Sequence, residues 1–517
     1  MTLSHRWPKS PGIRLLKGNE AKFRAGLLQS VLPVLFRDAC WLTSSLNVQY
    51  LWIDALCIIQ DDKDDWEREA ALMTDAYAGS FLNIVAGMSQ QHRSLFFDRN
   101  PVLLSPCMIQ GSKLGKKFGS EAIFTNASEA GQIARMETES RAWVLQECEL
   151  APKMVYFGEN EVIWECSSVV QSESSVRGID GPNRTPEDAR NVRAKLSKFK
   201  SDHVQLTEAR CVSIWEGLVS KYTSLDITYA EDRLVAISGL SQHLEDSVDG
   251  KLGRYCAGLW ETGFERQLLW QIWPDIRLQG ATSYLAPSWS WASHSSRIRY
   301  VGAPGGARSM SSFLEQLQVE VLPSSSVAAH GKVKSGSFTT LASICEIHHQ
   351  FDVHQQQHYF QIDFMEQVSR TMHRAWLPIA FMMDDLTQAF QKLHTFMFLP
   401  LLCYDLNDHG LQYCQRPILR RLFTEWRLDG SEDSSFPILP RGRWRLPLEQ
   451  EDHYALRALI LAPVSGQKGH YRRVGVAEFE DLDAIRLVQE ACKQMILVPD
   501  RYIERIDTRH GYKIKVV

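Results

Sequence analysis

Along the first 170 residues the apolar positions switch between a helical and a strand period. Ser30 to Leu46 keeps Leu32, Phe36, Ala39, Cys40 and Thr43 on one stripe, with Pro33 near the start where a helix tolerates it. The run Val48-Gln49-Tyr50-Leu51-Trp52-Ile53-Asp54 is apolar on both alternating faces. It predicts a central strand of a parallel sheet, with Asp54 at its C-terminal end. A helix follows with Trp66, Ala70, Met73 and Tyr77 on one side, and Phe81 to Ala86 predicts a second buried strand. After a less regular stretch from Gly87 to Glu139 comes Arg141 to Glu147. Two β-like runs, Lys153–Phe157 and Glu161–Cys166, then meet across Gly158-Glu159-Asn160 as a hairpin. Strand, loop, helix, strand is the grammar of an α/β sheet.

Beyond a polar stretch from Ser167 to Thr185 the pattern becomes helical, from Pro186 to Tyr222 and on towards Trp270, punctuated by Gly239 and Gly250. Trp289 and Trp291 alternate with serines and predict a strand burying two indoles, packed from this extension onto the first domain. Ser/Gly-rich linkers near Pro323–Ser337 and Gly430–Pro440 precede a β-rich last third that includes Leu456–Val464, Tyr471–Phe479 and Tyr512–Val517. The expected domains are 1–170 (α/β), 171–300 (a helical extension) and 301–517 (β-rich).

Length and composition narrow the function classes. At 517 residues the chain can bury large cores without metal or disulfide staples. A formal net charge of −4 gives no reason to expect nucleic acid as a partner. The longest apolar runs fall well short of the roughly 20 residues that span a bilayer, so no membrane span is expected. The first twenty residues carry Arg6, Lys9, Arg14 and Lys17 without an apolar stretch, which points to a cytoplasmic protein. Eleven cysteines without any CxxC pair read as reduced and mostly buried.

Several patterns have two readings. The acidic run Asp61 to Asp65 lacks the glycine and distal glutamate of a calcium loop and reads better as a helix entry, with Asp64 as N-cap and Glu67 three residues on. His348, His349, His354 and His358 are dense, but His354 and His358 lack the intervening glutamate of a metalloprotease helix, and alternating strand fits equally. No metal is assigned. There is no nucleophile elbow, dinucleotide fingerprint or phosphate-binding loop, and Gly302 to Gly306 is a plain loop. Asp54, Cys57 and Gln60 follow an apolar run, and Glu147 follows Trp143-Val144-Leu145-Gln146. Each of these carboxylates is a buried hydrogen-bonded strut or a tuned catalytic group.

Tyr50-Leu-Trp-Ile-Asp54-Ala-Leu-Cys57-Ile-Ile-Gln60-Asp61-Asp62, continuing through Asp65-Trp66, Glu69, Met73 and Tyr77, resembles the central signature of the fungal heterokaryon-incompatibility (HET) domain. Arg141-Ala-Trp143-Val-Leu-Gln146-Glu147 with Tyr156-Phe157-Gly158 and Trp164-Glu165-Cys166 resembles its closing signature, and Leu3-Ser4-His5-Arg6-Trp7 its opening one. Thr228-Tyr229 to Leu234, Ala257 to Trp260 and Ala286 to Ser293 resemble the segment that trails the domain. The family usually has apolar residues ahead of the Leu-Ser pair and a glycine after the tryptophan. Here Met1 and Pro8 stand there, and the first strand is expected to be clipped.

The resemblance implies a fungal self/non-self recognition effector that triggers regulated cell death. The domain is also distantly similar to TIR domains, which implies a TIR/flavodoxin-like parallel sheet and NAD as a possible substrate, with no resident cofactor. By that analogy Glu147 is the catalytic carboxylate with Asp54 beside it, and Ser4, Arg6, Trp7, Cys57 and Trp143 would contact the dinucleotide. The alternative is a non-catalytic assembly module, acting through a protein partner or self-association, or a degenerate family member.

Overall fold

The computed structural model describes residues 1–7, 12–88, 94–99, 107–109, 122–124, 136–167, 169–174, 206–273, 284–302, 307–324, 329–352, 357–365, 372–377, 380–383, 395–406, 453–479, 506–507 and 511–517, with single residues at 133, 196, 485 and 488. They divide into two compact units, Met1–Lys251 and Leu252–Val517. His354, the Gly430–Pro440 linker and the basic first part of the 186–222 helix lie outside the described residues.

The first unit is an α/β sandwich. Its strands are β1 (Thr2–Ser4), β2 (Asn83–Ala86), β3 (Cys107–Ile109), β4 (Ala122–Phe124), β5 (Lys153–Phe157), β6 (Val162–Cys166) and β7 (Val170–Ser172). Its helices are α1 (Glu20–Ala25), α2 (Val34–Ser45), α3 (Asp54–Cys57), α4 (Lys63–Ala78), α5 (Ala142–Leu150), α6 (Glu208–Tyr222) and α7 (Val235–Ser247). The sheet order is β1-β2-β5-β6-β7, while β3 and β4 form a separate ribbon. β1, β2 and β5 run parallel, and β6 and β7 fold back antiparallel. The expected hairpin is therefore present, and β7 extends it into the polar stretch that the sequence pattern marked as a boundary.

Strand alternation sends the two faces into two cores. Met1, Leu3, Ile84, Ala86 and Phe157 pack with Phe36 and Ala39 of α2 and Ala55 of α3. On the other face Val85, Met154 and Tyr156 pack with Val144 and Cys148 of α5. β1 departs from this apolar rule. Thr2 and Ser4 turn the same way as Asn83 and bond to its side chain, so a polar seam runs through a buried sheet face.

The strand with parallel neighbours on both sides is β2, not the Tyr50–Ile53 run. That segment sits at the sheet edge, joined to β1 by one parallel bridge between Thr2 and Trp52. The Trp52 N–H donates to Met1 O at 2.8 Å and the Leu3 N–H to Trp52 O at 3.1 Å. Asp54 already begins α3, and Tyr50 is 75% exposed. A Tyr-Leu-Trp-Ile run counts as apolar, but tyrosine and tryptophan tolerate one wet edge, and only Ile53 is fully buried here. The helix entry also differs by two residues. Asp62 is the N-cap of α4, accepting from the backbone N–H of Asp64 at 3.0 Å and of Asp65 at 3.4 Å. Asp65 instead accepts the Ile59 N–H at 2.8 Å.

The second unit is β-rich. Past Gly250 the expected helix gives way to short strands at Tyr255–Cys256, Leu259–Trp260 and Trp270–Ile272. A twelve-stranded sheet follows, with Thr395–Leu406, His453–Pro463 and His470–Phe479 as consecutive antiparallel neighbours. His348, His349 and His358 lie on paired strands of it, as the alternating reading has it. Trp289 and Trp291 are fully buried but do not form a strand: Trp291–Ser293 is a 3-10 turn capped by Ser290. Both indoles pack within this unit's own core. Trp289 meets Phe264 and Phe338 edge-on, and the Trp291 indole N–H donates to Gly258 O at 2.7 Å. Gly258 has φ of +99°, and a Cβ there would stand 2.7 Å from that same indole nitrogen.

Candidate functional site

Side chains from five separate segments of the first unit gather around Glu147. β1 ends at Ser4, and the chain beyond it carries His5 and Trp7. α3 opens with Asp54, α4 contributes Tyr77 from its last turn, β2 opens with Asn83, and α5 supplies Arg141 at its N-cap and Glu147 in its second turn. α5 is the reason that a glutamate can be buried here. From Val144 to Leu150 every residue is buried, because the helix is covered by the sheet on one side and by α4 and α7 on the other. Glu147 is 6% exposed.

The Glu147 carboxylate shares hydrogen bonds with the Ser4 hydroxyl and the Tyr77 phenol. Asn83 Nδ2 donates to Ser4 Oγ at 3.0 Å. Asp54 is held at both oxygens: Oδ1 accepts the Ala55 N–H at 2.7 Å and Oδ2 accepts the Trp7 indole N–H at 2.7 Å. His5 lies against this pair, with Nδ1 3.8 Å from Asp54 Oδ1 and its ring stacked on Trp7. Arg141 Nη1 donates to His5 O at 2.8 Å, tying the start of α5 to the chain leaving β1.

Burial pushes the Glu147 carboxyl up to about 7, with the Asp54 charge adding to the rise while Ser4, Arg141 and Tyr77 oppose it. Desolvation disfavours the charged form, and two hydroxyl donors and one guanidinium offset only part of that. Burial also raises the Tyr77 phenol well above its ordinary range, helped by Glu147 and Asp54, so it keeps its proton. His5 is lowered, chiefly by burial and further by Arg141 against the pull of Asp54, which leaves a neutral imidazole. A carboxyl that titrates near neutrality can take or give a proton or oppose a developing positive charge.

The structure brings Glu147, Asp54, Ser4 and Trp7 into this cluster. Arg6 is exposed beside it, and Cys57 is on the exposed side of α3. Trp143 is half-buried and packs edge-on against Trp66 at 5.8 Å. His5, Tyr77, Asn83 and Arg141 were not picked out from the sequence. Tyr77 stands out as the last member of the α4 stripe and within the central signature, with no site role given to it, and Asn83 as the one polar residue in an apolar strand, which is the signal that could have marked it. Among the described residues no group of three or more His, Cys, Asp or Glu side chains is placed to hold a metal, and no helix is long and apolar enough to cross a membrane.

The three sequence blocks that resemble one family meet around the buried carboxyl. Residues 1–147 match the family model described as Heterokaryon incompatibility protein (HET). The N-terminal part of the chain is a HET domain, and Glu147 is the last residue matched. Neither the curated proteins nor the solved structures compared with the chain contain a match.

Proposed function

We propose that the N-terminal unit is the effector of a fungal self/non-self response, causing regulated cell death by hydrolysing the N-glycosidic bond of NAD with Glu147 as the catalytic carboxylate. The observation that carries this reading is a buried glutamate titrating at about 7, held by two hydroxyls beside the end of a parallel strand. Open α/β sheets bind ligands at such ends, and the distant TIR resemblance supports the same reaction class. The bond between the ribose C1′ and the nicotinamide nitrogen breaks with its electron pair going to the ring, whose positive charge is thereby neutralised. The sugar becomes oxocarbenium-like, and a nearby carboxylate stabilises that charge. Water then adds to C1′ and loses a proton, leaving ADP-ribose and nicotinamide. Asp54 orients Trp7 and adds negative potential, while Arg141 fixes the loop after β1. NAD consumption by the purified chain, compared with a folded Glu147→Gln variant, tests this.

An assembly module is the second reading, and one feature favours it. Trp41 on α2 is 61% exposed and meets the exposed Phe96 edge-on at 5.1 Å, an aromatic pair suited to a protein contact.

A further inference from the structure

The two hydroxyls that reach Glu147 are themselves constrained. Tyr77 is 1% exposed, and its ring is held edge-on by Trp52 at 5.5 Å, so the phenol has little freedom to turn elsewhere. Ser4 Oγ accepts a hydrogen bond from Asn83 Nδ2 at 3.0 Å, and its own O–H is shared between Asn83 Oδ1, at 3.3 Å, and the Glu147 carboxylate. Thr2 Oγ1 in turn donates to Asn83 Oδ1 at 3.0 Å, fixing the amide's orientation. The polar seam through the sheet thus runs Thr2, Asn83, Ser4, Glu147 and is closed from the helix side by Tyr77. The other charged or titratable groups facing Glu147 are Asp54 from α3, Arg141 from its own helix, and neutral His5 beyond β1. A tyrosine used only as filler in this core would need no hydroxyl, because phenylalanine has the same ring.

We infer that Tyr77 is a positioning residue for Glu147: its phenolic O–H, working with the Ser4 hydroxyl, fixes the carboxylate in one orientation and supports its charged form inside the core. The consequence for catalysis rests on the glycohydrolase reading, whereas the consequence for titration of Glu147 does not. A donor to a carboxylate favours ionisation, so removing it moves the titration upward.

The test is Tyr77→Phe in the full chain, with folding checked by circular dichroism. Ionisation of Glu147 is followed by infrared difference spectroscopy, with the Glu147→Gln spectrum subtracted to isolate its carboxyl band. The expected midpoint rises by about one pH unit relative to wild type. If NAD is cleaved, the rise of kcat with pH moves by the same amount while KM changes little. A folded variant whose Glu147 titrates as in wild type overturns the inference, whatever happens to NAD. A shifted titration in a chain that leaves NAD untouched upholds the positioning role and removes the glycohydrolase reading instead. If Tyr77→Phe does not fold, Ser4→Ala removes the second donor, and the same upward shift is expected. An unshifted midpoint there is equally fatal.

Discussion

Replacing Glu147 by glutamine should make the stability of the first unit less sensitive to alkali. The wild-type carboxyl titrates at about 7 in the folded protein against an ordinary 4.5. Between those values the folded chain keeps a proton that the unfolded chain has released, so wild-type stability falls as pH rises through this window. At about 1.4 kcal/mol per pH unit, the full loss by pH 8 is about 3 kcal/mol. Glutamine has no proton to lose. Whatever the variant's offset at pH 4.5, it should gain on wild type by about 3 kcal/mol by pH 8, because other titrating groups such as His5 are common to both proteins. Since the chain has two units, urea unfolding should be read locally, by pulsed hydrogen exchange on peptides spanning Ala142–Leu150. A gap between the two proteins that stays flat from pH 4.5 to 8 would refute the buried, proton-holding state of Glu147. The magnitude also makes chemical sense: a carboxylate held charged in a core at this cost is more reactive than one in water, and stability is commonly traded for function in this way.

Three further substitutions check how the site is supported. Gly239 on α7 lets α4 and α5 approach, since a Cβ there would meet Thr74 Oγ1 at 2.0 Å and Gln146 Nε2 at 2.7 Å. Gly239→Ala should therefore destabilise the first unit by about 1–3 kcal/mol through overpacking, read as a lowered urea midpoint. Asp62→Ala removes the side-chain cap of the helix that carries Tyr77, at a cost of about 1 kcal/mol, whereas Asp64→Ala should cost less; thermal unfolding of the pair distinguishes the two aspartates.

Much of this site was legible because its parts are polar residues placed where an apolar element ends. Ser4 closes a strand, Asp54 opens a helix after an apolar run, and Glu147 follows the apolar Trp143-Val144-Leu145 at the start of a helix. The rest depended on which elements become neighbours. Tyr77 belongs to an ordinary amphipathic stripe, and only the packing of α4 beside α5 aims its hydroxyl at a carboxylate. The Tyr50–Ile53 run misled for a related reason: periodicity reports that residues are apolar, not how many strands flank them. Burial of Trp289 and Trp291 followed from their size, but Ser290 between them caps a turn rather than alternating along a strand. Asp62 and Asp64 are equally good caps in composition, and the Lys17–Asp62 ion pair at 3.1 Å is a contact that the local sequence does not contain.

The most direct test of the central claim is NAD consumption, followed by chromatographic detection of nicotinamide and ADP-ribose, for purified wild type and Glu147→Gln at pH 6, 7 and 8. The account predicts that wild type releases both products in equal amounts, with a rate that rises through about pH 7 as Glu147 ionises, and that the folded variant releases neither. Equal turnover by both proteins, or none by wild type at any of the three pH values, would contradict it.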